Sequence, residues 1–295
     1  VDFSVWCSTS TPWPDLVARA RTVEALGYHG FWVADHFMPN GDDVSEPMLE
    51  CFGVLSAVAA ITDRVRIGSL VAGNTYRHPA VLANQVTTID HVSGGRMVCG
   101  LGAGWQQNEH DAYGIELDAP PARIARFEEA CRVVLGLRDQ PRTDLDGRYY
   151  RLVDAPMEPK PIGPLPLFVG SSGPRMARIV ARHADEWNTW GTPEGFAEKS
   201  ALVDAGCEAE GRDPATLRRS TQALMFLGPD GAEQAERLAA IRPAIGGTAE
   251  QLRDVVGRYA EAGVDELIVP DFTLGDQVAT ADALAFLAEE VVGAP

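Results

Sequence analysis

One pattern recurs eight times along the chain: a short run of β-branched and aromatic residues, then a longer segment with helical periodicity. The predicted strands are Phe3–Cys7, Gly30–Ala34, Val65–Val71, Arg96–Leu101, Leu165–Val169, Glu186–Thr189, Thr221–Leu227 and Glu266–Val269. Leu16, Ala20, Val23 and Leu26 mark one helical face before Gly27, and Val255, Val256, Tyr259 and Ala260 mark another before Gly263. Thr248 with Gln251 forms a capping-box pattern, and both glycines sit where a helix C-cap glycine belongs. Parallel strands need helices on their faces. Eight βα units with no Pro/Ser/Gly-rich linker predict one closed α/β barrel, a (β/α)₈ TIM barrel, as a single domain over residues 1–295. The main interruption precedes the fifth strand. There Asp146-Gly147, between Arg142 and Tyr149-Tyr150, predicts a hairpin, and a proline-rich stretch from Pro156 to Pro166 follows.

Composition narrows the partners. No run approaches the roughly 20 apolar residues of a membrane span, and no basic segment with an apolar run opens the chain, so a cytoplasmic protein with no membrane contact is expected. The net charge of −17 disfavours nucleic acid, whose phosphates require clustered Lys and Arg. It leaves room for an anionic small molecule held at a helix N-terminus. Five scattered cysteines without a CxxC pair predict reduced thiols. Cys99 and Cys131 lie in apolar core segments, whereas Cys7 ends the first strand and could face the barrel mouth as part of a substrate pocket.

In a barrel of this type chemistry gathers after the strands, at their C-terminal ends. Asp35-His36 follows the second strand, and His36 suits a proton relay or a donor to a bound ring. Leu70-Val71-Ala72-Gly73-Asn74 ends the third strand in small residues, and Pro79 after His78 opens the next helix. Gly100-Leu101-Gly102-Ala103-Gly104-Trp105 departs from a dinucleotide fingerprint; its glycines predict an open floor for a planar ring, with Trp105 stacking beside it. Gly170-Ser171-Ser172-Gly173-Pro174-Arg175 before a helix predicts an anion site of backbone N–H groups, with a charge from Arg175. Trp190, at the end of the sixth strand, is a candidate pocket wall.

No HExxH, nucleophile elbow, P-loop or Cys/His cluster occurs, and no metal site is expected. The rival enzyme class is metal-dependent chemistry on Asp35, His36, Glu109 and His110. The rival outside catalysis is a barrel that binds a small molecule without turnover.

Several stretches in order resemble the bacterial luciferase-like monooxygenase family, most of all its deazaflavin (coenzyme F420)-dependent oxidoreductase branch. They are Ala34-Asp35-His36-Phe37, Thr75-Tyr76-Arg77-His78-Pro79, Ser93-Gly94-Gly95-Arg96 leading to Trp105, Gly170–Gly173 through Ala181–Asn188, and Ala260–Leu267. The resemblance implies hydride transfer between the deazaflavin and a small organic substrate, with His36 at the reactive face. It implies a non-proline cis peptide at Leu70-Val71 bracing the ring, Asn108 hydrogen-bonding the cofactor, and Gly170–Gly173 holding its phosphate. FMN is the alternative cofactor, which would make the chain a monooxygenase served by a separate cofactor reductase. Relatives commonly form homodimers, and the apolar helix Ala80–Ile89 offers a face for one. The deazaflavin-dependent sugar-phosphate dehydrogenases have an acidic proton donor where this chain has Trp105, and a tryptophan where it has Asn40. That departure argues against sugar-phosphate oxidation.

Overall fold

The computed structural model describes residues 1–293. Its strands are β1 (Asp2–Trp6), β2 (Gly30–Val33), β3 (Arg66–Ser69), β4 (Ala72–Gly73), β5 (Met97–Gly102), β6 (Thr143–Asp146), β7 (Arg151–Ala155), β8 (Leu167–Gly170), β9 (Glu186–Trp190), β10 (Arg218–Gln222), β11 (Leu224–Leu227), β12 (Ala244–Gly247) and β13 (Glu266–Pro270). The α-helices are α1 (Trp13–Ala25), α2 (Cys51–Ile61), α3 (Pro79–Ser93), α4 (Gln107–Tyr113), α5 (Pro120–Asp139), α6 (Pro174–His183), α7 (Pro193–Ala209), α8 (Gly231–Leu238), α9 (Ala249–Glu261) and α10 (Gln277–Phe286). Eight parallel staves run in the order β3-β2-β1-β13-β10-β9-β8-β5, and pairing of β3 with β5 closes the barrel.

Strand alternation sorts the side chains into two shells. Phe31 and Val33 point outward into the main core, where Leu16, Val23, Val86, Ile89, Phe127 and Val134 of the helices are buried. Trp32, Val98, Phe168 and Ile268 point inward and form a separate cluster, with Trp32 and Phe168 centred 4.8 Å apart. Below this layer the barrel floor is charged. Glu266, fully buried, accepts from Ser4 Oγ and from Trp32 Nε1 at 3.0 Å, and Arg66 and Arg218 lie 3.5 and 3.6 Å from it. An apolar plug over an ion-paired floor leaves only the upper end of the barrel open for a ligand.

Several boundaries differ from the sequence reading. The third strand stops at Ser69, because the Leu70-Val71 peptide is cis, and resumes as the short β4 beside the top of β5. Leu165 has a positive φ of 40° and precedes a proline, so the fifth stave starts at Leu167. The segment Thr221–Leu227 is two strands, not one: β10 is a stave, whereas β11 leaves the barrel and pairs in parallel with β12. β12 was not expected, since half of Ala244-Ile245-Gly246-Gly247 is glycine. Those glycines are required by packing: a Cβ at Gly246 would meet the Gly231 carbonyl oxygen at 2.2 Å.

The hairpin is present as β6–β7 and packs on its own barrel. Glu129 of α5 accepts the backbone N–H groups of Arg148, Tyr149 and Tyr150 at 2.9, 2.8 and 3.1 Å. Asp90 of α3 accepts those of Ile162 and Gly163 in the proline-rich stretch. The capping box at Thr248 and Gln251 is formed, and Gly27 and Gly263 end their helices with positive φ. Among the described residues no helix is long and apolar enough to cross a membrane.

Candidate active site

A cavity of about 530 Å³ opens at the C-terminal ends of the staves, within the size range of small-molecule and cofactor sites. No residue of the β6–β7 hairpin lines it. Its back wall is Leu70-Val71. The cis peptide turns the chain so that Val71 inserts between β5 and β8: a Cβ at Gly102 would lie 2.7 Å from Val71 Cγ2, and one at Gly170 would lie 2.9 Å from it. Gly100 would meet the Ser69 carbonyl oxygen at 1.8 Å, and Gly104 the Thr75 hydroxyl at 2.7 Å. Gly102 and Gly104 also line the cavity, where the sequence placed an open floor. The same glycines accommodate the irregular end of β3, and Val71 lines the cavity beside them.

His36 lines the cavity, and its Nδ1 lies 2.8 Å from Glu109 Oε1. Glu109 is fully buried and also accepts from the Phe37 N–H at 2.9 Å and from the Tyr76 hydroxyl. Burial alone would raise the Glu109 carboxyl, but the donors His36, Phe37 and Tyr76 hold it below its ordinary value. Burial and the neighbouring carboxylate push the Tyr76 phenol up, so it remains a neutral donor. A carboxylate accepts only, so Nδ1 carries the proton and Nε2 is left without a protein partner among the described residues.

Asp35, expected beside His36 in catalysis, lines the cavity with it, and its carboxylate is fully engaged. Its carboxylate accepts from Gly73 N–H at 3.0 Å and from the Arg77 guanidinium at 2.5 and 3.1 Å, with the side chain fully buried. That pair fastens the end of β2 to the loop after β4. It also positions His36 rather than offering a free carboxylate. His110 is likewise committed, through Nδ1 to the Gln106 carbonyl at 2.6 Å and Nε2 to Thr75 Oγ1 at 2.7 Å. Among the described residues no three His, Cys, Asp or Glu side chains are grouped to hold a metal ion.

The Gly170–Gly173 loop forms the opposite rim. Ser171 is used by the protein: its N–H donates to the Asn188 carbonyl at 3.0 Å and its Oγ accepts from Trp187 Nε1 at 3.2 Å. The N–H groups of Ser172 and Gly173, at the N-terminus of α6, have no protein acceptor among the described residues. They provide the donors an anion needs. Arg175 is exposed and does not line the cavity; Lys199 of α7 does, beside Ser171 and Ser172.

The remaining predicted residues divide. Trp105 is 54% exposed and stands edge-on to His36, centroids 5.5 Å apart. Trp190 forms a side wall, 5.7 Å from Trp6 and with Arg242 5.0 Å over its ring. Cys7 is fully buried in the main core and does not reach the cavity, which corrects its placement as a pocket residue: alternation turns it outward from the barrel, one position beyond inward-facing Trp6. Asn108 also lies outside the lining, its amide donating to the Pro39 carbonyl at 2.9 Å and its oxygen capping the Glu109 N–H at 3.0 Å. Sequence reading missed Tyr76, Arg123, Lys199, Gln222 and Arg242 as lining residues. Tyr76 stood inside a quoted motif and Gln222 ends a stave, but Lys199 and Arg242 come from helices and loops with no local signature.

The sequence and the fold both have known counterparts. The profile of the luciferase-like monooxygenase family matches residues 1–266. The chain is 30% identical over 265 residues to an F420-dependent hydroxymycolic acid dehydrogenase of Mycobacterium tuberculosis, covering 88% of this chain and 72% of that protein. It is 31% identical over 241 residues to an F420-dependent glucose-6-phosphate dehydrogenase of Kineococcus radiotolerans, covering 80% and 70%. Among solved structures, an F420-dependent secondary alcohol dehydrogenase in complex with an F420-acetone adduct superposes with a TM-score of 0.86 at 20% identity, covering 100% of this chain and 99% of that one. With its barrel closed over all eight staves and the profile matched along most of its length, this chain belongs to the luciferase-like monooxygenase family.

Proposed function

We propose that the protein is a coenzyme F420-dependent oxidoreductase acting on a small organic substrate. The observation that carries this reading is the pairing, in one cavity, of an unpartnered N–H loop at the N-terminus of α6 with a histidine whose Nδ1 is fixed by a buried carboxylate. Relatives about 30% identical to the chain are F420-dependent dehydrogenases, which supports the deazaflavin over FMN.

When bound, the deazaflavin supplies the hydride chemistry, and the protein supplies position and proton control. The residues fit such a group. Ser172 and Gly173 N–H groups receive a phosphate, and Val71 and Leu70 offer an apolar wall behind a ring. His36 Nε2 holds or takes a proton at the substrate oxygen, since Glu109 keeps the opposite nitrogen protonated. Trp105 and Trp190 exclude water and give a substrate flat surfaces. By the family resemblance, Trp105 and Asn40 stand where sugar-phosphate dehydrogenases have a proton donor and a tryptophan, which favours a substrate of another class.

Titrating the protein with F420 and with FMN in separate experiments tests the cofactor. Tight F420 binding with weak FMN binding is expected; the reverse order overturns the reading in favour of a flavin monooxygenase with a partner reductase. Binding of F420 without turnover of any alcohol, aldehyde or activated alkene would leave a non-catalytic binding barrel.

A further inference from the structure

The chain has 42 acidic residues and only two lysines, Lys160 and Lys199. Lys160 has a local structural task, donating to the carbonyls of Leu137 and Gln140. Lys199 is placed differently. It borders the mouth cavity beside Ser171 and Ser172, and also the small pocket behind that loop, which Gly173, Ala177, Trp187 and Val203 share. Its ammonium donates to the Trp190 carbonyl and forms no ion pair with a carboxylate among the described residues. An ammonium has three donors, so two have no protein acceptor among the described residues. Partial burial pulls the Lys199 pKa below the ordinary lysine range, although Glu198 works in the opposite direction. A half-desolvated cation without a counter-charge is unfavourable until an anion completes it.

The sequence pointed to Arg175 for this charge, but that side chain is exposed and does not line the cavity. We infer that Lys199 neutralises the phosphate of the bound cofactor, acting with the Ser172 and Gly173 N–H groups. The inference rests on the deazaflavin reading above. The Trp190 carbonyl holds the ammonium in place beforehand, so little side-chain freedom is lost when the anion arrives. A lysine acts here as a point charge on a loop whose backbone supplies the directional bonds.

The test compares two ligands: F420, and the deazaflavin riboside that lacks the phosphate. Lys199→Gln should weaken F420 binding about tenfold, as expected for a lost charge-assisted hydrogen bond. Riboside affinity should stay unchanged, and Lys199→Arg should restore most of the F420 affinity. Arg175→Gln should change neither ligand. Equal losses for F420 and riboside would overturn the assignment by showing a general disturbance of the Trp190 wall; so would unchanged F420 affinity, or a larger loss in Arg175→Gln. If the wild type binds neither deazaflavin, FMN and riboflavin form the same pair. The phosphate-dependent loss appearing there supports Lys199 and removes the deazaflavin reading, whereas its absence removes Lys199.

Discussion

His36 and Glu109 meet at 2.8 Å although 73 residues separate them in the chain, and the carboxylate that receives the imidazole is fully buried. This contact fixes which nitrogen of His36 carries a proton in the neutral state. Glu109→Gln should lower turnover about 10- to 100-fold with a smaller change in KM, because the ring loses its preferred tautomer and orientation. His36→Ala should lower turnover at least as much, with a loss of about 1–3 kcal/mol in stability from the donor removed at buried Glu109. Steady-state kinetics with F420 check both, and unchanged turnover in His36→Ala would remove the histidine from the chemistry.

The same carboxylate links stability to pH. Its three donors hold Glu109 below the ordinary carboxyl value despite burial, so the native state binds its proton less tightly than the unfolded chain does. The resulting stabilisation is complete above the unfolded value of about 4.3 and is lost as pH falls through the lower native value. The stability gap between wild type and Glu109→Gln should therefore be widest near neutrality and narrow on acidification. Denaturant melts from neutral to acidic pH measure it, and a gap that widens toward acid contradicts the assignment.

Two glycines separate packing from propensity. A Cβ at Gly100 would stand 1.8 Å from the Ser69 carbonyl oxygen, backbone that has no rotamer to escape into. Gly100→Ala should cost about 3 kcal/mol or more, at the upper end of overpacking losses. A methyl group at Gly257, inside α9, would meet nothing within 4 Å. Gly257→Ala should stabilise the protein by about 1 kcal/mol through helix propensity. Chemical denaturation of the two variants reads both signs.

The barrel floor gives a further test. Glu266→Ala leaves Arg66 and Arg218 with Glu186 and Asp2 but strips the acceptor from Ser4 Oγ and Trp32 Nε1, and should cost about 1–3 kcal/mol, the usual loss for an unsatisfied buried donor. Cofactor affinity should change far less than stability, because the apolar layer of Trp32, Val98, Phe168 and Ile268 lies between floor and cavity.

All five thiols are buried, and burial pushes Cys99 up to about 12 and Cys7 and Cys51 well above the ordinary thiol value. Native protein should react with a thiol reagent only as fast as it unfolds, and all five groups should titrate in denaturant. Rapid labelling of Cys7 in the native state would return it to the pocket wall.

The barrel was legible because strand period and helix period alternate with readable caps, as at Thr248 and Gln251. The mouth was legible to the extent that it lies at strand ends: His36, Leu70-Val71, Ser171, Ser172, Trp105 and Trp190 all line the cavity. What escaped was relational. Asp35 and Glu109 are both acidic residues near His36 in the fold, but only the tertiary structure gives Asp35 to Arg77 and Glu109 to the imidazole. Glycines in β5 carry the same letters whether they receive a ligand or a neighbouring strand. Cys7 shows how one step along a strand reverses a side chain from mouth to outer core.

The insertion of Val71 between Gly102 and Gly170 ties three positions together sterically. Three positions on three different segments form one lock: no side chain fits at either glycine while Val71 is in place. A side chain at Gly102 or Gly170 can therefore enter only together with a smaller residue at Val71. Trp105, Trp190 and Arg242 are under no such constraint, being held by rings and surface rather than by backbone. Substitutions on that open side of the cavity therefore meet no steric lock of the kind that joins Val71 to Gly102 and Gly170.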